Sequence, residues 1–400
     1  MSTEMINHKI VTAIIIGAGN RGYTYASYVT EAPDDFKVVA VADPRPFYKN
    51  RVKKLCNIPE ERVYDDWKEV AELDKFADCV IISTQTQLHT KPAIAFARKG
   101  YDILLEKPMA VTAQGCREVL AECERNNVYL TVCHVLRYTP WVQKLKEIID
   151  KGDIGDVVNI QHLEPVGYRF FSHCFVRGNW NKESDSTFSL LEKCCHDLDL
   201  ISYWMGPRKC HSVSSFGHLS HFNKDCKPAE AASRCLDCPA EVESACPYSA
   251  QKIYFNSIKT GTLDWPFNVI TDTPDIENIT EALRTGPYGR CVYDMDNDVM
   301  SQQGELTFEE GYGDINHCDF TTGQTYRIPL QDKYTGSIGM HGGADYYMIK
   351  TYVDALKEGD KSKILTGGEE ALASHLLAFA AEKARKENRV VTIDPDLLLL

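Results

Sequence analysis

The chain has 400 residues, 44 Lys and Arg against 57 Asp and Glu, and a formal charge of −13 at pH 7. That length supports two domains with a sizeable core, and the acidic balance excludes nucleic acid as the main partner. No apolar run reaches the roughly 18 residues of a membrane-spanning helix, and Met1–Lys9 lacks a signal-peptide apolar stretch. A cytosolic chain with no membrane partner is expected, so its 15 cysteines should be reduced thiols or metal ligands rather than disulfides.

In chain order, the β-branched run Val11 to Ile16 feeds into Gly17-Ala18-Gly19-Asn20-Arg21-Gly22. In such a loop the first glycine permits the tight turn, the second lets backbone approach a pyrophosphate, and the third lets the next helix pack on the strand. That helix then offers unpaired N–H groups to phosphate. A second strand, Phe36 to Ala42, ends at Asp43, 21 positions after Gly22, where a carboxylate would hold ribose hydroxyls. Asp43 favours NAD. NADP stays open because Arg21 or Arg45 could pair with a 2′-phosphate; Arg45 could equally be a solvated loop residue or stack over adenine.

The alternation continues with a short strand at Arg62–Tyr64, a buried strand Cys79–Ser83, a helix Lys91–Lys99, a strand Tyr101–Leu105, a helix Thr112–Asn126 and a sixth strand Tyr129–Cys133. This rhythm predicts a doubly wound parallel sheet with ligand at the strand C-termini. From about Val157 the pattern changes to alternating strands, with candidates at Val157–Pro165, Cys210–Phe216, Ser301–Phe308 and Gly311–Thr321. They predict an α+β domain with a mostly antiparallel sheet. The expected division is a nucleotide-binding domain at 1–135 and a substrate domain at 136–400 with a Cys-rich insertion at about 222–250. The helices Asp345–Lys357 and Glu369–Asn388 should pack back on the assembly.

Two motifs carry the expected chemistry. Glu106-Lys107-Pro108 follows the fifth strand, on the edge where such sheets bind ligand. A Lys there can stabilise an alkoxide during hydride transfer. In Glu192-Lys193-Cys194-Cys195-His196-Asp197-Leu198-Asp199, a continuous helix would put Glu192, His196 and Asp199 on one face, and a carboxylate-flanked His suits general base work. Arg137 and Tyr138 after the sixth strand, and Arg177 and Trp180 ahead of this helix, are expected to line a cleft for a polyhydroxylated ligand. His341-Gly342-Gly343-Ala344-Asp345 either reaches that cleft or caps a helix through Asp345.

Cys226, Cys235, Cys238 and Cys246 form C-x8-C-x2-C-x7-C. Four thiolates would match a closed, structural zinc site, the alternative being a loop with free thiols.

The glycine loop, Glu106-Lys107-Pro108 and His196-Asp197-Leu198-Asp199, in this order and spacing, resemble the glucose–fructose oxidoreductase/inositol dehydrogenase/MocA family over nearly the whole chain. The resemblance implies a Rossmann domain followed by an open antiparallel sheet domain, with substrate held between them against a nicotinamide. It matches Lys107 to the family's motif Lys and His196 to its catalytic His. Glu192 stands where many members have Asp. The resemblance also implies cofactor contacts from the Thr84-Gln85-Thr86-Gln87-Leu88-His89 loop. The expected protein is an NAD(P)-dependent oxidoreductase acting on a secondary alcohol of a sugar, glycoside or cyclitol, as a homo-oligomer. Its alternatives are a redox-assisted glycosidase with tightly held NAD and a non-catalytic nucleotide sensor.

Overall fold

The computed structural model describes residues 9–259, 265–273, 275–300, 315–319, 324–328, 334–338 and 340–393. Strands β1 (Val11–Ile16), β2 (Phe36–Ala42), β3 (Val63–Tyr64), β4 (Cys79–Ile82), β5 (Asp102–Leu105) and β6 (Leu130–Val132) form one parallel sheet in the order β3-β2-β1-β4-β5-β6. Both faces are buried. Ala13 and Ile15 face one apolar layer, and Ile14 and Ile16 face the other, as the two-residue strand period requires. Such strands read as unbroken apolar runs because neither face meets water. Each fully buried Ile contributes roughly 1.5–3 kcal/mol.

The strand order reverses between β1 and β4, opening a crevice beyond their C-terminal ends. Gly17 closes that end tightly. Its φ is +88°, and a Cβ there would lie 2.7 Å from the Ser83 carbonyl carbon. A Cβ on Gly22 would lie 2.0 Å from the Gly17 carbonyl oxygen, so the helix Asn20–Ala26 packs against the turn only because residue 22 has no side chain.

The C-terminal helices complete these layers. Met348, Ile349, Tyr352 and Val353 from the helix Ala344–Glu358 join the layer containing Ile15. Ala371, from the helix Gly368–Glu387, joins the layer containing Ile16. Beyond the nucleotide fold the chain is α+β. Strands β7 (Ser212–Val213) and β10 (Val391–Thr392) pair antiparallel, as do β8 (Ile315–Asp319) and β9 (Gln324–Ile328).

Of the four strands expected here, Val157–Pro165 is irregular and Cys210–Phe216 is reduced to Ser212–Val213. Ser301–Phe308 lies outside the described residues, and within Gly311–Thr321 the described part is β8. Val158 is 94% exposed and Phe216 71% exposed. Apolar side chains this exposed gain little from two-sided burial, so the alternation does not hold these stretches in regular strands.

Gly22→Ala should therefore cost at least the 1–3 kcal/mol of an overpacked core in urea unfolding. Gly152→Ala, at φ +75° with nothing within 4 Å of its Cβ, should cost only about 1 kcal/mol. Equal losses would contradict this account of the turn.

Candidate active site

The glycine loop, the end of β2 and the loop after β4 meet in one cradle. Asp43 is 3% exposed. Its Oδ2 accepts from the Ala18 N–H at 2.8 Å, and its Oδ1 accepts from the Arg45 backbone N–H at 2.9 Å and from Arg45 Nε at 3.0 Å. Arg45 then lies over the Tyr48 ring, 4.0 Å from its centroid. The Asn20 side-chain amide pairs with that of Asn268, and Tyr48 Oη donates to the Asn268 carbonyl at 2.6 Å. Gly19 faces open space apart from Arg45. After β4, Gln85 accepts from Gln87 at 2.9 Å, and the buried His89 ring ties the Pro108 and Thr84 carbonyls together. Thr84 Oγ1 is buried with no partner among the described residues. A turn with no room for a Cβ, an open Gly19 and a carboxylate at the end of β2 together fit a dinucleotide.

Arg21 does not face this cradle. Its guanidinium turns inward to Glu106 Oε1 at 2.6 Å, to Tyr25 Oη and to Asp345. Glu106 also accepts from Tyr25 Oη at 2.6 Å. The expectation that Arg21 meets a 2′-phosphate is thus corrected, because two carboxylates already claim its charge. Burial pushes the Glu106 and Asp345 carboxyls up, but attraction to Arg21 and the hydrogen bonds they accept together hold both below the usual carboxylate range.

The structure brings Lys107 and His196 together. Lys107, after β5, donates from Nζ to the Glu192 carbonyl at 2.6 Å and lies 5.7 Å from the Trp180 ring centroid. His196 opens the helix Cys195–Met205 and is 5% exposed. Burial, then the nearby Lys107 charge, keep its imidazole neutral by holding it well below its ordinary range.

The expected single helical face is corrected. One helix ends at Glu192 and the next begins at Cys195, and the Glu192 carbonyl takes the Lys107 ammonium where a continuous helix would offer it the His196 N–H. The Glu192 carboxyl is buried, accepts from Ser186 Oγ at 2.6 Å and is pushed up by desolvation.

Four cleft expectations resolve differently. Asp199 is held by Arg137 in a fork, Nε to Oδ2 at 2.6 Å and Nη2 to Oδ1 at 2.8 Å, with both groups buried. Burial pushes the Asp199 carboxyl up to about 6 against the pull of Arg137. Tyr138 Oη bonds Thr366 Oγ1 at 2.9 Å and accepts from the Leu365 N–H at 3.1 Å. These three groups brace the C-terminal segment instead of facing substrate, because each spends its polar atoms on a buried partner. Arg177, 2% exposed, donates to the Arg290 and Tyr248 carbonyls, each at 2.9 Å, and to Cys235 Sγ at 3.3 Å, so it braces the Cys-rich segment. Trp180 stays beside Lys107.

The zinc expectation is also corrected. Among the described residues no three His, Cys, Asp or Glu side chains are gathered to hold a metal ion. Cys226 is exposed and bonds the Ser220 carbonyl, while Cys235 is turned to Arg177.

Sequence reasoning missed His134 and His375. The His134 ring lies 5.6 Å from that of His196 and 5.3 Å from that of His375. His134 follows β6, so its position at a strand C-terminus was an available signal. His375 lies inside a helix and carried none.

Residues 11–134 match the model of an oxidoreductase family with an NAD-binding Rossmann fold. Against an uncharacterized oxidoreductase of Streptococcus pneumoniae the chain is 27% identical over 207 residues, and this match spans about half of each protein, 52% of this chain and 53% of the other. A myo-inositol 2-dehydrogenase of Thermotoga maritima is 22% identical over 95% of this chain and 98% of its own. The structure of scyllo-inositol dehydrogenase from Lactobacillus casei, with bound NAD(H) and scyllo-inositol, superposes with a TM-score of 0.60 at 14% identity, covering 96% of this chain and 99% of that one. That likeness shows a shared fold.

The Arg21 cluster sets a pH dependence. A carboxyl depressed in the folded state contributes stability that is present above its unfolded pKa and lost as pH falls through the folded one. Unfolding free energy should thus drop on acidification from about pH 5 to pH 2. Arg21→Met, which leaves both buried carboxylates without their cation, should cost about 3–5 kcal/mol at pH 7 and flatten that slope. Urea titrations across the range check it, and parallel slopes would exclude the pairing.

Proposed function

We propose that the chain is an NAD-dependent dehydrogenase acting on a secondary alcohol of a cyclitol or sugar. The observation that carries this reading is the meeting of Lys107 and His196 at the C-terminal edge of the sheet, beside the glycine and Asp43 cradle. Bound NAD+ would supply the hydride acceptor. Gly17, Gly19, Asn20, Gly22, Asp43, Thr84 and the loop ending at His89 would hold it. His196, kept neutral by burial, takes the hydroxyl proton. Lys107 donates to the oxygen as negative charge develops there, in a site that excludes most water. Trp180 offers an aromatic face to sugar C–H groups.

Asp43, its carboxylate already engaged by Ala18 and Arg45, favours NAD over NADP by removing room for a 2′-phosphate. The reading includes a cytosolic homo-oligomer. Cysteines that among the described residues are free thiols support the cytosolic part; fractionation tests the location and sedimentation analysis the oligomer.

A second reading is a redox-assisted glycosidase built on the same pair. A relative from Escherichia coli, 25% identical over 217 residues, is named 2,7-anhydro-N-acetylneuraminate hydratase, so the curated relatives are not all named as dehydrogenases. Net NADH release from a polyol supports the dehydrogenase, whereas bond cleavage without added cofactor supports the glycosidase. Absence of any turnover would leave a nucleotide sensor.

With scyllo-inositol, myo-inositol and simple glycosides as probes, His196→Ala and Lys107→Met should each lower kcat by about 10²-fold or more. The double variant should cost less than the product of the two losses, because both act on one proton. NAD affinity should change little in His196→Ala. Near-normal turnover by His196→Ala would remove the assignment. Separately, Asp43→Ala should weaken NAD and relatively favour NADP in fluorescence titrations; an unchanged NAD/NADP ratio would show that Asp43 does not choose the cofactor.

A further inference from the structure

We infer that His341, held by Asp345, carries to solvent the proton that His196 takes from the substrate. The inference rests on the proposed dehydrogenase reading and adds a proton exit to it.

A buried base must be emptied once per turnover. His196 is enclosed, and its Nδ1 has no partner among the described residues. The titratable groups acting on it are Lys107, Lys193, His134 and His341. Lys107 is engaged by the Glu192 carbonyl, and Lys193 by Glu164 at 2.8 Å. The route through His134 is closed. That ring is fully buried, and behind it His375 is fully buried too, with Nδ1 on the Ala371 carbonyl and Nε2 accepting from the Met109 N–H. His341 is different. Its ring centroid is 6.0 Å from that of His196, and its side chain is 32% exposed. One water can bridge such a gap.

The local backbone aims this side chain. His341 has φ +51°, and Gly342 and Gly343 follow with φ +62° and +90°, a left-handed run that only glycine enters without cost. Asp345, at the start of the helix Ala344–Glu358, is fully buried, accepts from His341 Nδ1–H at 3.1 Å and is itself fixed by Arg21. A carboxylate on Nδ1 sets the tautomer, leaves Nε2 as an acceptor and stabilises the imidazolium while the proton is in transit. In oxidation the substrate C–H electron pair leaves as hydride to oxidised nicotinamide dinucleotide, and the carbonyl forms. The O–H proton passes to His196, then through water to His341 Nε2, and on to solvent. Reduction runs the same path in reverse. His341 acts through His196 and is a relay residue, not a catalytic one.

The test uses His341→Asn, since Asn tolerates the left-handed backbone. Stopped-flow mixing with scyllo-inositol and NAD+ follows NADH absorbance and a pH indicator together. The parent should release protons in step with NADH. The variant should form NADH in its first turnover, release protons at least tenfold more slowly, and regain rate with added free imidazole. Unchanged proton release, or a slow variant that imidazole does not rescue, overturns the relay. If the parent oxidises no polyol, the dehydrogenase reading falls separately and the relay is decided without substrate. In protein carrying 15N-histidine, His341→Asn should then slow water exchange of the His196 ring proton at least tenfold, and unchanged exchange overturns it.

Discussion

Arg21 sits at the centre of the fold because its guanidinium joins segments that are remote in the chain. It bonds Glu106, 85 residues away, and Asp345, 324 residues away, with Tyr25 closing the set. Through these contacts the glycine loop, the Glu-Lys-Pro turn and the first turn of a C-terminal helix hold fixed positions relative to one another. Two buried carboxylates share this one guanidinium, so loss of Arg21 would leave both buried without their cation. The arrangement thus enforces geometry more than it adds net stability. Lys107 follows Glu106 directly and His341 is held by Asp345, so the same cluster sets the entrance to the site.

Charge is distributed unevenly around the reacting groups. Carboxylates deep in the protein are neutralised by arginines, Asp199 by Arg137 and Asp345 by Arg21. Among the described residues His196 has no carboxylate partner of its own. It lies between Lys107 and a row of imidazoles, an environment that disfavours the imidazolium. Such a base accepts a proton only when a developing oxyanion and a way out make the transfer favourable. In the proposed reaction Lys107 would be the oxyanion partner.

Much of the nucleotide fold was legible because its signals are local. The strand runs, the Gly-x-Gly-x-x-Gly turn and Asp43 each report a backbone constraint within a few residues, and all six strands of the parallel sheet fall where the apolar runs lie. The site was legible in part. Lys107 and His196 were marked by motif and by position at strand and helix ends. Arg137, Tyr138, Arg177 and Asp199 were read as cleft residues because their chemistry suits a sugar, but chemistry alone does not say whether a polar side chain faces a ligand or a buried partner. The cysteine spacing points the same way: Cys235, Cys238 and Cys246 line one cavity, but spacing alone does not gather side chains to hold a metal ion, and none are so gathered among the described residues.

The sequence by itself determined the parallel sheet, the glycine turn and the acid at the end of β2, since each depends on local geometry and apolar periodicity. Only the tertiary structure decided which arginine meets which carboxylate, that the helix breaks between Glu192 and Cys195, and that His134, His196 and His341 form a row. Those outcomes depend on desolvation. In water every one of these groups is satisfied by solvent, and only when folding removes the water does each have to take the partner that packing brings within reach.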